Sequence, residues 1–185
     1  MKRSLIRVLV ALLLASAWGY YVYWNYERVT NGPVEQEINC VNNLKQIGLA
    51  FKIWEIDHGD QYTFNVSTNA GGTMELCAVG KDGFDHNSFL HFKAMTGDEL
   101  LRVPLLLVCP QDRSKKAAAN WASLGPENVT YRLRSGTNAS DANTHAILAV
   151  CPIDGNVLYC DGTVLDKNGQ PAQSPEAKGR YKWFR

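Results

Sequence analysis

The hydrophobic pattern is strongest near the start of the chain, where an uncharged and mostly apolar segment spans residues 8–24. Lys2, Arg3 and Arg7 precede it, and Trp and Tyr side chains are concentrated at its end. A helix rises about 1.5 Å per residue, so residues 5–24 are long enough to cross a hydrocarbon core of about 30 Å. Cations before the segment and aromatic residues after it predict a single-pass anchor with its N terminus in the cytoplasm.

The same segment has a second interpretation, a cleaved signal peptide. A basic region, a short apolar stretch and the small residues Ala15-Ser16-Ala17 form the usual pattern, with cleavage after Ala17. In both interpretations the rest of the chain is exported. The mature protein begins at Met1 in the first case and at Trp18 in the second.

A helical pattern follows over residues 34–58. Asn31-Gly32-Pro33 is predicted to interrupt the chain before this helix, with Pro33 in its first turn, and Gly59 is expected to end it. Apolar side chains recur at three- and four-residue steps and form one stripe, which we expect to be the core of the exported domain. Its members are Ile38, Val41, Leu44, Ile47, Phe51 and Trp54.

The remaining sequence predicts loops, short helices and a small sheet. Residues 60–83 are rich in Asn, Thr and Gly and predict a loop, whereas residues 87–96 and 115–124 predict short helices. The fold class is α+β, with the long amphipathic helix packed on an antiparallel sheet. Strands are expected at residues 105–109, 129–133, 146–151, 157–160 and 163–165, with a hairpin turn at Asp154-Gly155.

Three regions follow from these patterns. They are an anchor or signal with a linker (residues 1–33), an α+β domain (34–170) and a basic, aromatic tail (171–185). The formal net charge of +1 gives no general attraction to nucleic acid, so no nucleic-acid partner is expected. The tail is expected to dock its aromatic side chains on its own domain, with a phosphate or membrane contact as the alternative.

The five cysteines include no Cys-x-x-Cys pair, which disfavours a zinc ribbon or a thioredoxin-type site. Disulfides are permitted in an exported domain. Cys109 and Cys151 are the best candidates for one, because Cys109 ends an expected apolar strand and Cys151 needs a partner on another strand. Cys40, on the helix, is expected to remain a free thiol. The alternative is that most of the cysteines are buried free thiols.

The expected hairpin also separates Cys151 from Cys160. A two-residue turn at Asp154-Gly155 places Cys151 opposite Leu158 and Cys160 opposite Ala149. A disulfide needs Cβ atoms about 3.5 to 4.5 Å apart, whereas diagonal positions lie about 7 to 8 Å apart. We therefore expect no bridge between these two cysteines.

The sequence offers little support for catalysis. The four histidines are scattered, and no Cys/His pair suited to nucleophilic catalysis can be singled out. No cofactor is expected. Asp161, Asp166 and Asn168 are weak candidates for calcium ligands. However, the sequence after Asp166 does not continue as an EF-hand loop, and Asp-Gly pairs mainly form turns.

Several motifs resemble those of bacterial type II secretion pseudopilin-like proteins. Members often carry a histidine, nine further residues and then Asp-Gly, and here Cys151 stands in the place of that histidine before Asp161-Gly162. The resemblance covers about residues 36–166 and implies a pilin-like fold. Residues 5–24 lack the prepilin cleavage motif and its glutamate. The other motifs are Asn39-Cys40-Val41-Asn42-Asn43-Leu44-Lys45-Gln46-Ile47-Gly48-Leu49-Ala50-Phe51, Gly71-Gly72-Thr73-Met74-Glu75-Leu76 and Leu107-Val108-Cys109-Pro110.

These features together predict a membrane-anchored, periplasm-facing pseudopilin-like protein that acts through protein–protein contacts and is not an enzyme. The resemblance implies a location in the bacterial inner membrane and partners among other pseudopilin-like or secretion-system proteins. A soluble exported binding domain, stabilised by a disulfide and released by signal peptidase, is the alternative. An exported enzyme that uses a cysteine thiolate is a third hypothesis.

Overall fold

The computed structural model describes residues 2–96, 101, 103–136, 139, 140 and 142–172, without the side chains of residues 2–11 and 26–38. Contacts divide the chain into two units, Met1–Gln36 and Glu37–Arg185. The predicted C-terminal tail lies almost entirely outside the described residues, because only Pro171 and Ala172 belong to both.

The longest element is helix α1, which runs from Lys2 to Asp57. The predicted interruption at Asn31-Gly32-Pro33 is wrong, because all three residues are helical. A proline inside a helix removes one backbone hydrogen bond but does not by itself end the helix. The predicted end at Gly59 is confirmed. Gly59 has φ +66°, and the N–H of Asp60 donates to the carbonyl of Glu55, which closes the last turn.

The first unit presents apolar side chains to its surroundings. Leu13, Trp18 and Tyr23 are exposed, as are their neighbours over residues 12–24. Residues 5–11 of the predicted anchor lie outside the described side chains. In the part of the chain that the structure describes, no helix is both long and apolar enough to cross a membrane.

The second unit adds a short helix, α2 (Ser88–Ala94), and six 3₁₀ turns to the end of α1. The helix predicted at residues 87–96 is therefore confirmed. The strand predicted at 105–109 is wrong, since Pro104–Leu107 form a 3₁₀ turn, and the helix predicted at 115–124 shrinks to Trp121–Ser123. The other 3₁₀ turns are Thr63–Asn65, Thr68–Ala70, Met74–Leu76 and Pro126–Asn128.

Four short strands form one antiparallel sheet in the order β1-β2-β3-β4. They are β1 (Arg132–Leu133), β2 (Ile147–Val150), β3 (Val157–Tyr159) and β4 (Val164–Leu165), which confirms the predicted α+β class and the last four predicted strands. The predicted register of the β2–β3 hairpin is wrong by two residues next to the turn, and a bulge between Ile147 and Ala149 adds a further shift. Ala149 pairs with Leu158, and the N–H of Cys151 donates to the carbonyl of Asn156.

The stripe on α1 forms the core of the second unit, as predicted. Val41, Leu44, Ile47, Phe51 and Trp54 are buried, whereas the side chain of Ile38 lies outside the described residues. The helix packs closely on the sheet at Gly48, where an added Cβ would lie 3.1 Å from a methyl group of Leu158. Sequence periodicity alone located this core, because one face of a helix repeats every 3.6 residues.

Candidate functional site

Four groups capable of binding a metal ion come together beside the N-terminal part of the core. They are the thiols of Cys40, Cys109 and Cys151 and the carboxylate of Asp154, and one ligand atom from each lies within 4.8 Å of the others. The three cysteines are buried and Asp154 is partly exposed. We call this set the thiol cluster.

Each member of the thiol cluster is supplied by a different segment or turn of the second unit. Cys40 projects from α1, and Cys109 follows the Pro104–Leu107 turn. Cys151 directly follows strand β2, and Asp154 lies in the connection, residues 151–156, that leads from β2 to β3. Since these segments are distant in sequence, the cluster forms only when the domain folds.

Neighbouring polar groups hold the Cys109 segment in place. The N–H of Cys109 donates to Thr130 Oγ1 at 3.2 Å, and that hydroxyl in turn donates to Asp112 Oδ2 at 2.8 Å. On the other side, Asn43 Nδ2 donates to the carbonyl of Val108 at 3.3 Å and so ties this segment to α1. The polar residues around Cys109 thus position a thiol rather than react themselves.

Hydrogen bonds join the cluster internally. Cys109 Sγ lies 3.1 Å from Asp154 Oδ2 and donates to it, and Cys151 Sγ lies 4.0 Å from the same oxygen. The Asp154 N–H donates to Cys151 Sγ at 3.5 Å, and Asn156 Nδ2 donates to Cys40 Sγ at 3.5 Å. Each of these N–H donors stabilises negative charge on the sulfur that it faces.

The thiols titrate unequally. Hydrogen bonds from Cys109 and then Cys40 lower the pKa of Cys151 to about 4, whereas hydrogen bonds to Cys109 and Cys151 and burial raise the pKa of Cys40. Burial raises the pKa of Asp154 to about 6. Without a metal, the arrangement therefore favours a single thiolate, at Cys151, held by two neighbouring thiols.

A second cluster consists of Cys77, Asp85 and His91, again with one ligand atom from each within 4.8 Å of the others. We call it the aspartate–histidine cluster. His91 Nε2 lies 3.2 Å from Asp85 Oδ2, although the contact is not aligned as a hydrogen bond. His91 Nδ1 lies 2.6 Å from Thr73 Oγ1. The order Asp-His-Thr superficially matches a catalytic triad.

Burial and hydrogen bonding argue for a structural role instead. The side chains of Asp85 and His91 have no exposed surface, and Thr73 is also buried. Asp85 accepts hydrogen bonds from the N–H groups of Ala78 and Asn87 and a short one from the Ser135 hydroxyl. The carboxylate thus cross-links the loop before α2, the start of α2 and the segment that follows strand β1.

The pKa directions agree with this interpretation. Burial alone would raise the pKa of Asp85, but hydrogen bonds from Ser135 and the Asn87 N–H hold it below its ordinary value. Burial lowers the pKa of His91, and the attraction of Asp85 offsets this only in part. The folded state therefore favours an ionised Asp85 beside a neutral His91.

A cavity of about 520 Å³ opens beside the aspartate–histidine cluster. Arg134, Ser135 and Asn143 are polar residues in its lining, and Val79 and Ile147 contribute apolar surface. The Ser135 hydroxyl is already bonded to the buried Asp85. Among the described lining residues there is no pair of nucleophile and base, so the cavity suggests no reaction.

The sequence-predicted site residues are placed as follows. Cys109 and Cys151 are neighbours, as their proposed pairing requires. Cys160 is buried elsewhere, and its carbonyl accepts a hydrogen bond from the Tyr62 hydroxyl at 3.2 Å.

Two members of the thiol cluster were not predicted from the sequence. Cys40 was expected to be an isolated thiol, and Asp154 was expected only to form a turn. The Cys40 thiol gave no signal of its own, because its partners are 69 or more residues away.

The calcium candidates act as turn formers. Asp161 Oδ1 accepts the N–H of Thr163 at 2.7 Å. Asp166 Oδ1 accepts the N–H groups of Asn168 and Gln170 at 2.8 and 2.9 Å. One oxygen of each carboxylate thus accepts from the backbone of its own turn, and Asn168 Nδ2 lies 3.4 Å from the other oxygen of Asp166. Within the described residues, Asp161 and Asp166 belong to neither of the two clusters of potential ligands.

No family model, curated protein or solved structure matches this chain. The motifs that resemble pseudopilin-like proteins have structural roles here. Asn43 ties α1 to Val108, and Glu75 caps the neighbouring loop by accepting the Ser67 hydroxyl at 2.6 Å and the Thr68 N–H at 2.7 Å. At Gly72 an added Cβ would lie 2.1 Å from the carbonyl oxygen of Val66, so that loop requires glycine.

Proposed function

We propose that this protein is a non-catalytic, pseudopilin-like interaction protein of the bacterial envelope. Its N-terminal segment keeps it at the inner membrane, and its folded domain faces the periplasm. The observation that carries the proposal is the apolar surface that α1 leaves exposed in both units. Its partners are other pseudopilin-like or secretion-system proteins.

In the second unit, the exposed apolar surface is a ridge on α1 formed by Leu49, Ile53 and Ile56. These side chains are 59%, 38% and 73% exposed. Their four- and three-residue spacing places them on one face, opposite the stripe that forms the core. We call them the outer ridge. Aliphatic residues at this spacing are suited to packing against another helix, so the partner we propose is α1 of another pseudopilin-like subunit.

In the first unit, apolar exposure is more extensive. Leu12, Leu14, Trp18 and Tyr21 are each more than 60% exposed. A contiguous apolar surface of this kind is unfavourable in water, and it normally marks contact with a membrane or with another protein. This supports retention at the membrane.

The two clusters of titratable side chains are compatible with a structural role. Asp85, His91 and Thr73 are buried and contact one another, and the described members of the thiol cluster do not include a histidine. A long helix packed on a small antiparallel sheet also fits the pilin-like arrangement that the sequence motifs imply. Shape alone does not define function, so the proposal depends on the exposed surface.

Site-specific photo-crosslinking in cells that express the full-length protein tests the outer ridge. A photoreactive amino acid at Ile53 should yield a covalent dimer, whereas the same group at Lys116, an exposed position outside α1, should not. Adding Leu49→Glu should abolish the Ile53 crosslink while changing stability by no more than about 0.5 kcal/mol, as is usual for surface sites. Equal crosslinking at both positions, or crosslinking that Leu49→Glu leaves unchanged, would refute the proposed contact.

The alternative function, a released binding domain, makes a different prediction for the N terminus. Membrane retention requires a mature chain that keeps residues 1–24 and sediments with the membranes. Release by signal peptidase gives a soluble protein that begins at Trp18. Intact-mass analysis of both fractions distinguishes the two, and a soluble chain starting at Trp18 would exclude the anchored form.

A further inference from the structure

We propose that the thiol cluster, Cys40, Cys109, Cys151 and Asp154, is a binding site for a thiophilic divalent metal ion, with zinc the best fit. This site is independent of the outer ridge and of membrane retention. It assigns one function to all four groups, including Cys40 and Asp154, which a single disulfide would leave unused.

The spacing of the ligand atoms fits a tetrahedral ion. Sulfur atoms bound to zinc at about 2.3 Å lie about 3.8 Å apart at tetrahedral angles, and a carboxylate oxygen lies slightly closer. Here all four ligand atoms lie within 4.8 Å of one another, and Asp154 Oδ2 is 3.1 Å from Cys109 Sγ and 4.0 Å from Cys151 Sγ. Small side-chain adjustments are sufficient to place an ion between them.

The donor set identifies the class of metal. Thiolates bind zinc and other soft or borderline ions, whereas calcium and magnesium require oxygen ligands. Three sulfurs and one carboxylate oxygen complete a four-coordinate shell. The calcium candidates from the sequence, Asp161 and Asp166, are not part of this set.

Groups around the cluster support bound thiolates. The N–H of Asp154 and the Nδ2 of Asn156 donate to the sulfur atoms of Cys151 and Cys40, and such donors commonly orient metal ligands. Asn156 is completely buried. Lys167 packs beside the turn at Gly155 and interacts favourably with the carboxylate of Asp154, which offsets part of the negative charge.

Metal binding requires no oxidant. Each protonated thiol loses its proton as the metal–sulfur bond forms, and neither sulfur nor zinc changes oxidation state. A Cys109–Cys151 disulfide, by contrast, requires an external acceptor for two electrons. It would also remove two of the three sulfur ligands, so metal binding and that disulfide exclude each other.

The test measures metal content and the oxidation state of the cysteines in the full-length protein, purified without chelator from zinc-supplemented cells. We expect stoichiometric zinc that a strong chelator removes. Replacement by Co²⁺ should give intense thiolate-to-cobalt absorption and the ligand-field bands of a tetrahedral site. Non-reducing peptide mapping should show Cys109 and Cys151 as thiols. A Cys109–Cys151 linked peptide in the native protein would overturn the proposal in favour of the disulfide.

Matched variants locate the site. Cys109→Ser should lose most of the bound zinc, whereas Cys160→Ser, also at a buried cysteine but outside the cluster, should retain it. Asn156→Ala should weaken zinc affinity by about 10- to 100-fold, the usual effect of losing a group that orients a ligand. Cys151→His, which replaces one zinc ligand by another, should bind zinc and cobalt where Cys151→Ser does not. Equal zinc in Cys109→Ser and Cys160→Ser would refute the site.

Discussion

The thiol cluster contains four potential metal ligands and the aspartate–histidine cluster contains three, and in each the ligand atoms lie within 4.8 Å of one another. The two clusters differ in the hydrogen bonds that these atoms already make. Asp85 accepts hydrogen bonds from two backbone N–H groups and a serine hydroxyl, and His91 lies between it and Thr73. Within the part of the chain that the structure describes, the hydrogen bonds to the Asp154 carboxylate come from the thiols of Cys109 and Cys151.

This difference separates a structural network from a binding site. A buried carboxylate with several fixed donors stabilises its ionised form and needs no further partner. A carboxylate whose neighbours are thiols has few strong donors, and its burial is unfavourable until a cation replaces the thiol protons. Proximity of ligand atoms is therefore a weaker indicator of a metal site than the hydrogen bonds those atoms already make.

The largest effect on stability is expected when the carboxylates of Asp85 and Asp154 are replaced and the two variants are compared. Asp85→Ala should lower the free energy of unfolding by about 3 to 5 kcal/mol, because it leaves buried donors without their acceptor. In metal-free protein, Asp154→Asn should leave stability unchanged or raise it, since burial raises the pKa of Asp154 to about 6 and disfavours its charge at neutral pH. Urea denaturation of both variants measures this contrast, and equal losses would remove the distinction between the clusters.

The loop that presents Thr73 to His91 should also be sensitive to added volume. Gly72→Ala places a Cβ 2.1 Å from the carbonyl oxygen of Val66, and we expect a loss of about 3 kcal/mol. Gly19→Ala is the control, because nothing lies within 4 Å of its added Cβ. Thermal denaturation followed by circular dichroism measures both, and a Gly72→Ala protein as stable as wild type would show that this loop is not fixed.

The next effect is the change in folding stability with pH that His91 should cause. Burial lowers the pKa of His91, so the unfolded chain binds a proton that the folded protein does not. The resulting stability is present above the ordinary histidine pKa of about 6.5 and is lost as pH falls, with a slope of at most about 1.4 kcal/mol per pH unit. His91→Gln should reduce this slope between about pH 7 and pH 5.5, whereas His145→Gln, at an exposed position, should not. An unchanged slope in His91→Gln would contradict a buried neutral histidine.

The smallest effect is expected at Cys77, the cysteine of the aspartate–histidine cluster. It is partly exposed, and its hydrogen bonds to backbone carbonyls are long, 3.6 Å to Phe64 and 3.7 Å to Thr73. Cys77→Ser should therefore change stability by less than about 1 kcal/mol and leave zinc binding intact. If Cys77→Ser lost zinc and Cys109→Ser retained it, the metal site would be the aspartate–histidine cluster and not the thiol cluster.

Local sequence patterns predicted the elements more reliably than their arrangement. The stripe on α1, the end of that helix at Gly59 and the last four strands were correct, because each follows from short-range periodicity or turn chemistry. The expected strand at residues 105–109 is a 3₁₀ turn instead, since Pro104 pre-sets the backbone for a turn start. Apolar character alone does not distinguish a strand from a buried turn.

Cys109 and Cys151 lie close together as expected, although the strand register used to predict this is partly wrong. Next to the turn the β2–β3 pairing is shifted by two residues, because residues 152–155 separate Cys151 from its hydrogen-bond partner Asn156 and the Gly155 N–H donates to the carbonyl of Cys151. Next to the turn, a shift of two residues keeps Ala149 and Cys151 on their original face of the sheet, whereas a bulge between Ile147 and Ala149 changes the register further along β2. Cys151 therefore still faces the core, where Cys109 lies.

The sequence by itself determined the apolar N-terminal segment, the amphipathic face of α1 and the α+β class, because these depend on neighbours within a few turns or strands. Only the tertiary structure decided which titratable groups meet. Cys40, Cys109, Cys151 and Asp154 come from three distant parts of the chain, and so do Thr73, Asp85 and Ser135 of the structural network. A single sequence contains no periodicity that links such positions, since their distances are fixed by how the helix packs on the sheet.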